Sequence, residues 1–183
     1  MKKNLTLIGM PGAGKSTIGI LLAKNLSLNF LDTDVLIQVR EGRSLQKIME
    51  AGGHLYLRQI EEEVICDLKP QKHVIATGGS VVYSEPAMRH LHELSTVIFL
   101  RVSYLEILRR IHNFATRGIA KAPGQSFEEL FAERQALYER HGDITIACDG
   151  RSQENIVEDI AVAVCPTNKS LCLKSSVLGC VSS

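Results

Sequence analysis

Neither sign of charge prevails in this chain: 21 lysines and arginines stand against 20 aspartates and glutamates, a formal net charge of +1. That balance leaves no basic face of the kind a nucleic-acid backbone demands, so the expected partner is a small molecule. No apolar run approaches the roughly 18 residues of a membrane span. Met1-Lys2-Lys3 leads straight into the first apolar segment without a signal pattern, and the expected location is cytoplasmic. The five cysteines, Cys66, Cys148, Cys165, Cys172 and Cys180, are odd in number and never spaced C-x-x-C, which argues against a disulfide framework and against a zinc site. The six histidines show no metal-ligand spacing beyond His90-x-His92, on a helix read as exposed. Repeats and low-complexity tracts are missing too. At 183 residues the simplest organisation is one domain with a large core. Nothing in the pattern requires a dimer, so a monomer is expected.

Against these absences stands one strong positive signal. The apolar run Leu5-Thr6-Leu7-Ile8 is followed by Gly9-Met10-Pro11-Gly12-Ala13-Gly14-Lys15-Ser16-Thr17, which satisfies G-x-x-x-x-G-K-[ST]. Glycines allow successive backbone N–H groups to turn around a polyphosphate, the lysine reaches the outer phosphates, and the hydroxyl ligates magnesium. Ile18, Leu21, Leu22 and Leu26 then recur at helical spacing, so a helix N-terminus points at the anion.

Further along, Asn29-Phe30-Leu31 reads as a second strand ending at Asp32-Thr33-Asp34. Ser44 is placed to cap a helix that Gly52-Gly53 stops. The next helix puts Leu57, Ile60, Val64 and Leu68 on one face, with Arg58 and Glu61 three apart and close enough to pair. His73–Thr77 is a third apolar run ending in Gly78-Gly79-Ser80, a bend that a ligand could approach closely. Ser84 opens a helix before a fourth strand at Thr96–Leu100. Ser103-Tyr104-Leu105-Glu106 reads as a capping box starting a helix through Leu105, Leu108 and Ile111, with Arg109 and Arg110 near its end. Periodicity stops between His112 and Gln125, the best candidate for a mobile lid. Ser126-Phe127-Glu128-Glu129 is a second capping box, and its helix sets Leu130, Arg134, Leu137 and Tyr138 on one stripe. A guanidinium on that side either finds a buried anion or snorkels to water, and spacing does not choose between them. Asp143–Ala147 reads as a fifth strand and Ser152 as the cap of a last helix. Residues 165–183 have no apolar period and read as a frayed or disordered tail.

Alternating strands and helices imply an α/β fold with a mainly parallel sheet, whose ligands bind at the carboxyl ends of the strands. The phosphate loop, Asp32 with Asp34, and Gly78-Gly79-Ser80 all fall at such ends and are expected to meet in one cleft. Phosphoryl transfer needs positioned phosphates, charge compensation and an oriented acceptor. Lys15 and the loop amides suit the β- and γ-phosphates, Ser16 and Asp32 suit Mg²⁺, and Asp34 suits the acceptor hydroxyl. A turn with a helix cap would explain the aspartate pair equally well.

The series formed by Gly9–Thr17, Phe30-Leu31-Asp32-Thr33-Asp34, Leu57-Arg58-Gln59-Ile60-Glu61-Glu62, Thr77-Gly78-Gly79-Ser80, Leu108-Arg109-Arg110, Arg117, and Arg134 with Leu137-Tyr138 resembles the shikimate kinase family in order and approximate spacing. The resemblance runs from Met1 to Val164. It implies a five-stranded parallel sheet sandwiched by helices in a single P-loop kinase domain over residues 1–164, with a helical acceptor-binding region around 33–61 and a lid around 112–124. The implied activity is transfer of the γ-phosphate of ATP, with Mg²⁺, to the 3-hydroxyl of shikimate. By the same resemblance Lys15 and Asp34 are catalytic, and Gly12, Ala13, Gly14, Lys15, Ser16, Thr17, Arg110 and Arg117 bind the nucleotide. Asp34, Arg58, Gly78, Gly79, Ser80 and Arg134 bind the acceptor, and Ser16 and Asp32 the metal. The family usually has a third glycine where this chain has Ser80, Pro-Leu-Leu where Arg117 is followed by Gly118-Ile119-Ala120, and an aromatic residue where Leu57 stands. Two alternatives stay open at this level: a sister kinase acting on gluconate or homoserine, and a nucleotide-binding regulator without transfer activity.

Overall fold

The computed structural model describes residues 4–111, 120–122 and 124–164. Arg117, most of the stretch expected as a lid, and the 165–183 tail lie outside them. The elements are β1 (Asn4–Ile8), α1 (Lys15–Leu26), β2 (Asn29–Asp32), α2 (Thr33–Glu41), α3 (Leu45–Cys66), β3 (His73–Ala76), a 3₁₀ turn (Val81–Tyr83), α4 (Glu85–Leu94), β4 (Ser95–Arg101), α5 (Tyr104–Arg110), α6 (Phe127–His141), β5 (Ile144–Ala147) and α7 (Gln153–Val164).

The five strands form one parallel sheet in the order β2-β3-β1-β4-β5. Leu7 is in register with Ala76 and Ile98, and Gly19 of α1 lies against Leu7 and Phe30. Phe99, one residue on from Ile98, instead stacks on Tyr138 of α6 at 5.3 Å. Successive side chains of a strand point to opposite faces, so α1 and α6 cover opposite sides of the sheet. Strands covered on both faces read as nearly continuous apolar runs, as β1 and β4 do.

Local capping fixes where the helices begin. Ser44, Ser84, Ser103, Ser126 and Ser152 each accept a hydrogen bond from a backbone N–H three residues on, worth about 1 kcal/mol apiece. Only Ser126 forms the full reciprocal box, with Glu129 accepting from the Ser126 N–H at 2.8 Å. The box expected at Ser103 is half made: the Ser103 N–H donates to Asp149, and Glu106 pairs with Arg109 and Arg110. The face expected for that helix holds at Ile111 and is corrected at Leu105 and Leu108. Leu105 is 73% exposed and Leu108 38%, while Ile107 and Ile111 are buried.

The helix α2 has no counterpart among the elements read from local pattern. Asp32 caps it by accepting from the Asp34 N–H at 3.0 Å. Together with α3 it encloses a small separate core of Ile37, Ile48, Leu57, Ile60, Val64 and Ala120. The expected stop at Gly52-Gly53 survives as a break within α3, where Gly53 leaves the helical region at φ 75°. Among the described residues no helix is long and apolar enough to cross a membrane.

Candidate active site

A cleft of about 450 Å³ opens at the carboxyl ends of β1, β2 and β3. Its floor is the loop between β1 and α1. Gly14 holds φ 95° at the N-cap of α1, a conformation few side chains tolerate, and caps the helix with no side chain. The first N–H groups of α1 are therefore left for an anion, which the helix dipole also favours, and the first turn carries no acidic residue. Gly12, Gly14, Lys15, Ser16 and Thr17 line the cleft. Ala13 is buried with its N–H bonded to Met10 O at 3.0 Å, and of the loop residues expected on the nucleotide it is the one that does not line the cleft.

Lys15 is buried and its Nζ donates to Gly9 O at 2.7 Å and Met10 O at 3.0 Å. Burial lowers its pKa to about 8, against the opposing pull of the Asp34 carboxylate. Ser16 Oγ donates to Asp32 Oδ2 at 2.6 Å, so Asp32 both caps α2 and stands beside the loop hydroxyl. A hydroxyl and a carboxylate side by side are hard oxygen donors of the type Mg²⁺ takes.

The opposite wall comes from the segment after β3. Thr77 Oγ1 donates to Leu7 O, and Gly78 N–H donates to Thr33 Oγ1, tying that segment to β1 and α2. A Cβ on Gly78 would lie 2.2 Å from Glu61 Oε1 and 2.9 Å from Asp34 Oδ1. Glycine at 78 is what lets these two carboxylates approach the backbone. A Cβ on Gly79 would press on Pro11 and lie 3.0 Å from Arg134 Nη1. Ser80 is buried and donates to Glu61 Oε2 at 2.5 Å. The polar side chain that replaces the family's third glycine is thus engaged with α3.

Arg134 is 1% exposed, which decides between the buried and snorkelling readings. Its Nη2 donates to Ala120 O, Nε has no hydrogen-bond partner among the described residues, and no carboxylate of those residues pairs with it. Arg58 does not pair with Glu61 as its spacing suggested: its guanidinium lies over the Tyr83 ring at 3.6 Å. Glu61 turns to Ser80 because burial removes it from water, and the Ser80 hydroxyl satisfies one oxygen. Arg58 lines a neighbouring cavity that shares Glu61 and Ser80 with the main cleft. Arg110 reaches the cleft while paired with Glu106 at 2.9 Å.

A model of the shikimate kinase family matches residues 11–165. The chain belongs to the shikimate kinase family. The shikimate kinase of Rhodococcus erythropolis (strain PR4 / NBRC 100887) is 39% identical over 160 residues, covering 86% of this chain and 94% of its own. That of Sulfurihydrogenibium sp. (strain YO3AOP1) is 34% identical over 163 residues, covering 88% and 98%. Among solved structures, shikimate kinase from Acinetobacter baumannii in complex with shikimate superposes with a TM-score of 0.84 at 26% identity, over 92% of this chain and 96% of that one. The five-stranded parallel α/β fold expected from the sequence is the fold of these shikimate kinases.

Three side chains in or beside this cleft make contacts that the sequence alone did not assign. Tyr138 donates its hydroxyl to Gly79 O at 2.6 Å, locking the loop to α6; its place on the apolar stripe was visible, its partner was not. Tyr83 holds Arg58. Glu61, four residues after Leu57 on the packed side of α3 and offered by its spacing as a partner for Arg58, is instead buried and bonded to Ser80.

Burial, and next the Asp34 carboxylate, push Glu61 from its ordinary 4.5 up to about 7. A pKa raised by folding means the stability it contributes is fully present below the unfolded value and is lost as pH rises through about 7. Such a shift corresponds to about 3 kcal/mol. Glu61→Gln keeps an acceptor for Ser80 and removes the titration. Its melting temperature is expected to match the parent near pH 5 and exceed it by several degrees at pH 8. Parallel melting curves across that range would show Glu61 to be ionised throughout.

Proposed function

We propose that this chain transfers the γ-phosphate of ATP to the 3-hydroxyl of shikimate, in the cytoplasm and as a monomer. The observation that carries the reading is Arg134: a buried guanidinium without a carboxylate partner among the described residues, lining the same cleft as Lys15 and Asp34. Guanidinium presents donors in a planar fork that matches a carboxylate, and shikimate is a carboxylate with ring hydroxyls.

Lys15 and the N–H groups at the start of α1 hold the β- and γ-phosphates. Ser16 and Asp32 would hold Mg²⁺, which when bound neutralises charge on the phosphate oxygens. Arg134, with Arg58, takes the acceptor carboxylate, and the Gly78-Gly79-Ser80 segment shapes the wall beside the ring. Asp34 accepts a hydrogen bond from the acceptor hydroxyl and orients its oxygen towards the γ-phosphorus. As that oxygen bonds to phosphorus, the bond from phosphorus to the bridging oxygen breaks, ADP leaves, and the hydroxyl proton passes to Asp34. Burial raises the Asp34 pKa against the opposing effect of Lys15, which makes it a better proton acceptor than an exposed aspartate. Arg110, which reaches the cleft, and Arg117 would bind the nucleotide.

An ADP-release assay with ATP and a panel of hydroxy acids tests the proposal. Shikimate is expected to stimulate release, with phosphate recovered on one ring hydroxyl. Turnover on gluconate or homoserine and none on shikimate would reassign the acceptor, and ATP binding without transfer to any acceptor would make the chain a regulator.

A further inference from the structure

The geometry points to Tyr83 as a positioning residue of the acceptor site, its ring carrying the Arg58 guanidinium and flanking that of Arg134 so that two like charges serve one carboxylate. This rests on the reading that these arginines bind the acceptor carboxylate.

Arg58 lies 3.6 Å and Arg134 5.5 Å from the Tyr83 ring centroid. Two guanidiniums drawn to one place repel: burial first, and then Arg134, make it harder for Arg58 to stay charged. A carboxylate between them would relieve the repulsion but would also occupy the N–H edges that a substrate needs. An aromatic face attracts a cation through its quadrupole and engages the flat face of the guanidinium, not its edge. Arg58 indeed has no ion-pair partner among the described residues, and its buried Nε has no hydrogen-bond partner among them. The ring supplies attraction and leaves the donors available.

The fold sets Tyr83 at this point through the acceptor loop itself. Tyr83 ends the 3₁₀ turn that follows Gly78-Gly79-Ser80; its N–H donates to Ser80 O at 3.1 Å, and Val81 and Val82 are buried beneath it. Glu61, Ser80, Arg58 and Tyr83 together line a second cavity of about 290 Å³ that adjoins the main cleft. The backbone that shapes this wall of the cleft therefore also places the ring, and the ring carries Arg58.

The test measures steady-state kinetics of Tyr83→Leu with shikimate and with its methyl ester. Loss of a half-buried cation–π contact is expected to raise the shikimate KM about tenfold, with kcat and the ATP KM unchanged. Tyr83→Phe keeps the ring face and is expected to restore the parental KM. The ester, lacking the charge, is expected to show no difference between parent and Tyr83→Leu. Should Tyr83→Leu fail to fold, Tyr83→Met keeps the bulk and is expected to give the same split. A parent that prefers the acid beside a Leu or Met variant with an unchanged or lowered shikimate KM overturns the role of Tyr83 alone. A parent that treats acid and ester alike overturns the carboxylate reading beneath it, and this role with it.

Discussion

Asp34→Asn is expected to reduce kcat about a thousandfold, the scale of a lost general base, while nucleotide affinity changes little. Asparagine is isosteric, so the hydrogen bond from the Asp34 N–H to Asp32 and the packing of α2 are kept. What disappears is a group able to take the hydroxyl proton. The folded protein is expected to become slightly more stable at neutral pH, because burial raises the pKa of Asp34 and an ionised carboxylate there opposes folding once pH exceeds its unfolded value. A second signature follows from Lys15, since Asp34 is the largest charge holding its pKa up against burial. In Asp34→Asn the Lys15 ammonium is easier to deprotonate, so residual activity is expected to fall off at lower pH than in the parent. Single-turnover transfer, ATP titration and a pH profile of the residual rate check the three parts. Near-parental turnover would move the base elsewhere.

How much of this site could be read before folding depends on how local each contact is. The phosphate loop was legible because its glycines, Lys15 and Ser16 act within nine residues, and the serine caps because each reaches only three residues on. The helix α2 was not, because Val35 and Val39 face solvent and only Thr33 and Ile37 are buried. Its apolar run carries no clean helical stripe, and its stability comes from packing against α3. Arg58 misled in the same way: spacing offered Glu61 as a helical neighbour, whereas Glu61 bonds Ser80, 19 residues later, and Arg58 stacks on Tyr83, 25 positions away in the chain. The oddity of Arg134 was visible from spacing. What surrounds it comes from the loop at Gly79, from Tyr83 and from Ala120, none of which the pattern of α6 encodes.

Arg134 also yields the second large effect, and its two consequences have opposite signs. Arg134→Met is expected to raise the shikimate KM about a hundredfold, the range for truncating one partner of a buried charge pair, with kcat nearly unchanged because ground-state and transition-state binding of a remote carboxylate fall together. The same variant is expected to melt at a higher temperature. In the parent, a guanidinium at 1% exposure has an unpartnered Nε among the described residues and no carboxylate pairing with it. Even buried ion pairs, when replaced by apolar residues of similar volume, often leave the fold more stable by about 1–4 kcal/mol, so removing a buried charge that lacks its partner is expected to act in the same direction. The hydrogen bond to Ala120 O is lost, which limits the gain. Arg134→Lys retains charge without the planar fork and is expected to fall between the two in KM. Added shikimate is expected to raise the melting temperature of the parent more than that of Arg134→Met, since a ligand stabilises in proportion to its affinity for the folded state. A variant that binds shikimate as tightly as the parent would mean that Arg134 serves the loop at Ala120 and not the acceptor.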